Sequence, residues 1–249
     1  MFDLFKHKEK LLSSPIDLSI IHTDVHSHLI PAVDDGVQSI DESISLLRQL
    51  NELGYKKAII TPHVLYYSFP EGLRVLDEKL EYVKQEIAKE GIEMDLEVAG
   101  EFMLDDDISP RVEKGEIKTF GDKKYLLFEF PISIEPTNYS DWLFNLQCAG
   151  VNLVLAHPER YRYFFMYNKD KYEEIKDRGV LFQINIMSLS GYYGQVEKEA
   201  AEYLINEGMV ELVGTDCHKQ RHIDAIKKSL YSPILKQLID SGKLLNSKL

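Results

Sequence analysis

The residues with the clearest capacity for chemistry are histidines and carboxylates in short groups. His26-Ser27-His28 sets two imidazoles at i and i+2, which point to one side of an extended segment and can grip one cation together. Asp34 and Asp35 follow, just before Gly36. Further along come Thr61-Pro62-His63, Gly100-Glu101, Glu129 within the apolar run 126–130, His157-Pro158-Glu159-Arg160 and Thr215-Asp216-Cys217-His218. A lone histidine beside a strand is more often a hydrogen-bonded structural residue than a ligand. A carboxylate inside Leu-Leu-Phe-Glu-Phe is harder to dismiss, because a buried charge is costly unless paired or coordinated. Imidazole and carboxylate donors without a clear thiolate suit Mn²⁺, Fe²⁺, Zn²⁺ or Mg²⁺ and do not choose among them. About nine such donors exceed the needs of one ion, so two or three ions sharing a bridging carboxylate would use them.

These groups need elements to position them. Short apolar runs at 20–23, 57–60, 94–99, 125–130, 152–155, 181–185 and 210–214 read as strands. Amphipathic stretches at 39–53, 72–89, 171–177 and 196–207 read as helices, each ending at or just before a glycine. Strands alternating with helices predict a parallel α/β fold, and a barrel or near-barrel is favoured over an open sheet. Five of the eight histidines then fall, with acidic residues, at the C-terminal ends of strands, the face where barrel active sites sit. Only the run ending near Asn185 offers no obvious ligand. Cys217 lies between two candidate ligands, but in an extended segment its side chain faces away from theirs and reads as core filler.

The length of 249 residues suits one large domain, with residues 1–19 as an N-terminal extension and 20–249 as the domain proper. The formal net charge of −12 argues against sequence-independent binding of nucleic acid. Two cysteines exclude a disulfide framework and fit a reducing compartment. No apolar run is long enough for a signal peptide or a membrane-spanning helix, so a cytoplasmic protein, not an integral membrane one, is expected.

Taken together, His-x-His, Asp-Asp-Gly, Thr-Pro-His, the two glutamates, His-Pro-Glu-Arg and Asp-x-His resemble the polymerase and histidinol phosphatase (PHP) superfamily. The stretch DVHSHLIPAVDDGVQS is most similar to its bacterial protein-tyrosine phosphatase branch, found with capsule and exopolysaccharide operons. The resemblance covers roughly residues 22–225. It implies a distorted (β/α)₇ TIM-like barrel holding three divalent ions, with Mn²⁺ favoured. It implies one ion on His26, His28, Glu101 and Asp216, a second on Glu101, Glu129 and His157, and a third on Asp35, His63 and His218. Arg160 and Arg221 match family arginines near the substrate phosphate. The implied partner is a phosphotyrosine protein, an autophosphorylating bacterial tyrosine kinase.

Divalent ions suit hydrolysis of a phosphate monoester, and a guanidinium can hold the phosphoryl oxygens in a bidentate fork. For Arg160 the plainer alternative is a salt bridge with a nearby carboxylate such as Glu159; for Arg221 it is a solvated loop. His222 and Asp34 are conceivable proton carriers, more simply read as supporting or surface groups. The aromatic residues 161–165 and Tyr192-Tyr193 either wall a cleft or pack within their loops. A thiolate mechanism is not expected, because the positions six residues after Cys148 and Cys217 hold Val154 and Ile223 rather than arginine. The rival readings are a small-molecule phosphatase such as histidinol phosphatase, a polymerase-associated nuclease, an amidohydrolase and a non-catalytic metal-binding protein.

Overall fold

The computed structural model describes residues 11–65, 73–106 and 108–249. Its strands are β1 (Thr23–Asp24), β2 (Lys57–Ile60), β3 (His63–Val64), β4 (Asp95–Val98), β5 (Glu101–Met103), β6 (Tyr125–Glu129), β7 (Asn152–Ala156), β8 (Leu181–Asn185) and β9 (Val210–Gly214). The helices are α1 (Ile40–Glu52), α2 (Arg74–Lys89), α3 (Ile108–Glu113), α4 (Tyr139–Cys148), α5 (Arg162–Tyr167), α6 (Asp170–Asp177), α7 (Gln195–Asn206), α8 (Gln220–Ser229) and α9 (Pro233–Asp240). All named strand pairs are parallel, in the orders β1-β2-β4 and β3-β5-β6-β7-β8-β9.

The two sheets share strands, since β3 continues β2 and β5 continues β4 after a short break. Between β2 and β3 stands Pro62, which has no N–H for the ladder, and between β4 and β5 stands Gly100. A side chain on Gly100 would meet Val64 at 2.7 Å and Phe102 at 2.8 Å. Across the breaks the pairing continues, as Glu101 N donates to Pro62 O at 3.0 Å. At the seam, Asp216 N donates to His26 O at 2.7 Å and His28 N to Cys217 O at 2.9 Å. Lower down, β1 and β9 are splayed, and the buried side chain of Asn246 stands between them. Asn246 donates to Thr23 O and Val213 O and accepts from Val213 N. The chain is thus a distorted parallel (β/α) barrel of the TIM type.

Period-two alternation sorts each strand into an inner and an outer face. Val25, Ile59, Ala99, Tyr125, Leu127, Val154, Ala156 and Leu212 form a compact inner cluster with Phe120. Their neighbours Ile60, Leu126, Phe128, Leu155, Phe182 and Val213 face outward, into the larger core beneath the helices. One register step above the inner cluster the inward residues turn polar, and there the candidate site lies.

The expected strand at 20–23 is displaced. Residues Leu18–Ile20 form a short 3₁₀ turn capped by Asp17, which accepts from Ser19 N at 2.9 Å, and Ile20 is exposed. The helix read at 39–53 is α1, with Ser39 as its N-cap in a reciprocal capping box with Glu42. Of the helix read at 72–89, Gly72 lies outside the described residues, and the helix runs from Arg74. Residues 1–10 of the extension also lie outside them. The described part follows α8 and α9, with Leu12 N donating to Tyr231 O and Ile16 N to Leu230 O.

Candidate metal centre

The strand ends and one loop bring together the nine candidate ligands read from the sequence. His26 and His28 sit just past β1, His63 opens β3, Glu101 opens β5, Glu129 closes β6, His157 follows β7, and Asp216 and His218 follow β9. Asp35 reaches in from the loop before α1, its carboxylate 3.4 Å from His218 Nε2 and 3.6 Å from His63 Nε2. The centre of the cluster is Glu101, which is fully buried. Its Oε2 stands 3.2 Å from His26 Nε2, 3.4 Å from His28 Nε2 and 3.0 Å from His63 Nδ1, and its Oε1 2.9 Å from His157 Nε2. Glu129 lies 3.1 Å from His63 Nδ1 and 3.8 Å from His157 Nε2.

Backbone geometry at two of these positions is unusual. His157 (φ 36°) and Asp216 (φ 49°) are both left-handed, a conformation that costs a non-glycine residue about 1–3 kcal/mol and persists only where its surroundings enforce it. Gly36 has a different task. A side chain there would meet His28 O at 2.2 Å, so glycine lets the Asp34-Asp35 loop close onto the His28 backbone.

Imidazole and carboxylate pair throughout the cluster, and each shifts the other's protonation. Burial alone would lower the pKa of His28, but hydrogen bonds to Asp34 and Glu101 outweigh it and raise it to about 10. Burial likewise opposes protonation of His63, while the charges of Glu101 and Glu129 lift it to about 12. Burial would push the Glu101 carboxyl up; the facing His26 and His63 hold it well below the usual carboxylate range.

The donor set fits divalent cations. Among the described residues, four overlapping groups have ligand atoms mutually within 4.8 Å: His28, Asp35, His63 and His218; His26, His28 and Glu101; His26, His157 and Asp216; and His63, Glu101 and Glu129. The Nε2 atoms of His26 and His28 face each other at 3.2 Å. Glu101 Oε2 and His63 Nδ1 are buried without a hydrogen bond of good geometry, although imidazole and carboxylate surround them. Such atoms converge on shared points rather than on one another. The rings are also held from behind. His28 Nδ1 donates to Asp34 Oδ2 at 2.7 Å and His218 Nδ1 to the Asp216 carbonyl at 2.9 Å, leaving each Nε2 for the centre.

The neighbours follow the sequence reading in part and depart from it in part. Asp34 is a half-buried support, as read, that also accepts from His63 N at 3.1 Å. Arg160 does not pair with Glu159: that carboxylate is buried and accepts from Ser188 Oγ and Asn185 N. The carboxylate it does pair with is Asp216, whose Oδ2 lies 3.5 Å from Arg160 Nη1, and its guanidinium stands 4.6 Å from the Tyr193 ring centroid. Arg221 is exposed and lies 5.9 Å from the Tyr192 ring, touching none of the cluster. His222 Nδ1 lies 3.0 Å from the Asp216 carbonyl and 3.2 Å from His218 N, and burial pulls its pKa down to about 4, so it is poorly suited to carry a proton. Tyr161 is buried and bonded to Phe130 N and Ala156 O, which makes it packing rather than cleft wall. Cys217 is buried in the outer core as expected. Gln183 and Asn185 of β8 point into the site although neither has the character of a ligand.

Residues 22–232 match the family model of capsular polysaccharide synthesis, CpsB/CapC. The chain is 32% identical over 202 residues to tyrosine-protein phosphatase CpsB of Streptococcus pneumoniae, covering 78% of this chain and 82% of that protein. It is 27% identical over 233 residues to tyrosine-protein phosphatase YwqE of Bacillus subtilis, covering 89% and 90%. Among solved structures it is similar to the YwqE and CpsB crystal structures, described as metal-dependent tyrosine phosphatases, with a TM-score of 0.78, 26% identity and coverage of 90% and 94%. A phosphotriesterase homology protein of Escherichia coli shares the fold alone, at TM-score 0.52 and 16% identity.

Proposed function

The chain belongs to the capsular polysaccharide synthesis family CpsB/CapC, and from that premise we propose that its metal centre hydrolyses phosphotyrosine in protein substrates. It is a metal-dependent protein-tyrosine phosphatase, a phosphoric monoester hydrolase. The observation that carries this reading is the meeting of Arg160 with the imidazole–carboxylate cluster at Asp216.

The finer assignment is three ions, with Mn²⁺ favoured, held by His26, His28, Glu101 and Asp216; by Glu101, Glu129 and His157; and by Asp35, His63 and His218. The short distances around Glu101 and the approach of Asp35 to His63 and His218 support it. Bound divalent ions would supply Lewis acidity toward the phosphoryl oxygens and a lowered pKa for water. Arg160 would bind the non-bridging oxygens, oriented by Asp216 on one side and the face of Tyr193 on the other. The apolar inner cluster keeps bulk water from beneath the reacting group. A tyrosine phenol, with a pKa of about 10, leaves without a dedicated general acid. Arg221, on the first turn of α8, would meet the substrate only at the rim.

The proposed phosphotyrosine protein is a bacterial tyrosine kinase that acts in capsule or exopolysaccharide assembly. Free Cys148 and Cys217 support a cytoplasmic setting. No helix among the described residues is long and apolar enough to cross a membrane. We treat residues 20–249 as one catalytic domain and 1–19 as its extension.

The test is phosphate release from a phosphotyrosine peptide, with and without Mn²⁺, beside histidinol phosphate. Metal-dependent release that favours the peptide is expected. Preference for histidinol phosphate would move the chain into small-molecule metabolism.

A further inference from the structure

β8 brings no imidazole or carboxylate to the centre, yet two amides on its inner face reach two candidate ligands. Gln183 and Asn185 occupy i and i+2 and are both fully buried. Gln183 Oε1 lies 2.7 Å from His26 Nδ1, and Gln183 Nε2 lies 3.0 Å from Asn185 Oδ1. Asn185 Nδ2 lies 2.7 Å from Asp216 Oδ2. The two ends of an amide look alike by shape, so their orientation has to follow from the network. Here one end of the chain of bonds is fixed chemically. Asp216 Oδ2 also faces the Tyr193 hydroxyl at 2.8 Å and Arg160 at 3.5 Å, and a guanidinium can only donate. Oδ2 is therefore an acceptor, and Asn185 must turn its NH₂ toward it. Asn185 then offers its oxygen to the Gln183 NH₂, and Gln183 offers its own oxygen to His26. The hydrogen of His26 must sit on Nδ1. Reversing any one amide would set two acceptors or two donors face to face.

We propose that Gln183 and Asn185 form a one-way amide relay that holds His26 as its Nδ1–H tautomer and anchors Asp216 by Oδ2. Together they turn His26 Nε2 and Asp216 Oδ1 into the metal centre. Both are positioning residues, and the proposal rests on the metal-binding reading of that centre. The freed atoms point the right way. His26 Nε2 lies 3.2 Å from Glu101 Oε2 and 3.7 Å from Asp216 Oδ1, while Asp216 Oδ1 lies 3.5 Å from His28 Nε2. Gly214 makes room for the relay: a side chain there would stand 2.7 Å from Gln183 Nε2 and 2.6 Å from His26 Cβ. The relay also spans the seam of the barrel, because His26 follows β1 and Asp216 follows β9. It ties the side chains of two ligands whose backbones are joined there by the Asp216 N to His26 O bond.

The experiment is calorimetric titration of the metal-stripped full chain with Mn²⁺, for wild type, Gln183→Leu, Asn185→Leu and the double variant. Loss of a hydrogen-bond partner behind a metal ligand typically weakens metal affinity about 10–100-fold. Each single variant is expected to fall in that range, and the double to lose less than the product of the two, since a relay cut at one link is already cut. Affinities within about twofold of wild type, or fully multiplicative losses, would overturn the relay. A second measurement needs no variant: long-range ¹H–¹⁵N spectra of histidine-labelled wild-type protein loaded with Zn²⁺. A slowly exchanging His26 Nδ1–H is expected, and a His26 hydrogen on Nε2 would overturn the proposal even if the leucine variants do not fold. Wild-type protein that binds no Mn²⁺ would overturn the metal-centre reading itself, and the relay with it, before any variant is compared.

Discussion

Arg160→Met removes the guanidinium while keeping an unbranched apolar stem. In the structure this side chain is 26% exposed, with Nη1 3.5 Å from Asp216 Oδ2 and its plane over Tyr193. It is thus held at the mouth of the centre rather than sealed within it. A hydrogen bond to a charged group contributes about 1.5–3 kcal/mol. At about 1.4 kcal/mol per factor of ten, losing one such bond to the transferring phosphoryl group lowers kcat/KM about 10- to 150-fold. Metal content should hold, because Asp216 Oδ2 keeps Asn185 and Tyr193 as donors and its Oδ1 is untouched. Arg160→Lys should recover only part of the loss, since an ammonium is a point charge without the planar fork. The assay is kcat/KM on a phosphotyrosine peptide at saturating Mn²⁺, beside a direct count of bound metal. A kcat/KM within twofold of wild type would refute the role assigned to Arg160. So would a loss matched by loss of metal, which would make Arg160 a support of Asp216 only.

Other perturbations separate the site from its scaffold. His28→Ala is expected to abolish turnover and reduce bound Mn²⁺ while leaving the far-UV circular dichroism largely unchanged; retained full activity would sink its assignment as a ligand. Arg221→Ala, at an exposed position remote from the cluster, should change kcat/KM only a few-fold, and a loss equal to that of Arg160→Met would contradict the ranking. Asn246→Ala leaves Thr23 O and both polar groups of Val213 without their seam partner, at a cost of about 1–3 kcal/mol for each buried group left unpaired. Urea unfolding should show the loss; an unchanged midpoint would mean that water repairs the seam. Gly36→Ala would force a side chain against the His28 carbonyl, and overpacking of about 1–3 kcal/mol should appear in thermal unfolding together with reduced kcat.

Much of this architecture is legible in the sequence because buried parallel strands are continuous apolar runs bounded by polar residues. The apolar runs 126–128 and 153–156, within β6 and β7, stand out for that reason. Ile20 misleads because it is apolar yet 63% exposed, beyond a turn set by the Asp17 cap. β3 and β5 are too short for a period to show, and only Pro62 and Gly100 hint that their strands are broken. The charged and imidazole members of the site stand out because they interrupt apolar strands or follow them directly. Gln183 and Asn185 do not, since neutral amides carry no ligand signature and their role lies in bonds to residues far away in sequence. Residue chemistry does not tell Asp34 from Asp35, and in sequence only the resemblance separates them; in the structure the loop does, placing the first side chain behind His28 and leaving the second 72% exposed. The choice of Asp216 over Glu159 as the partner of Arg160 is likewise made by the turn after β7, which points Glu159 at Ser188.

The most direct test of the account is a titration of metal-stripped protein with Mn²⁺, in which phosphate release from a phosphotyrosine peptide and the number of bound ions are followed together. The account predicts no release in chelator, a rise that tracks occupancy and a plateau near three ions per chain. Full turnover in chelator, or a fully loaded protein inert toward the peptide, would contradict it.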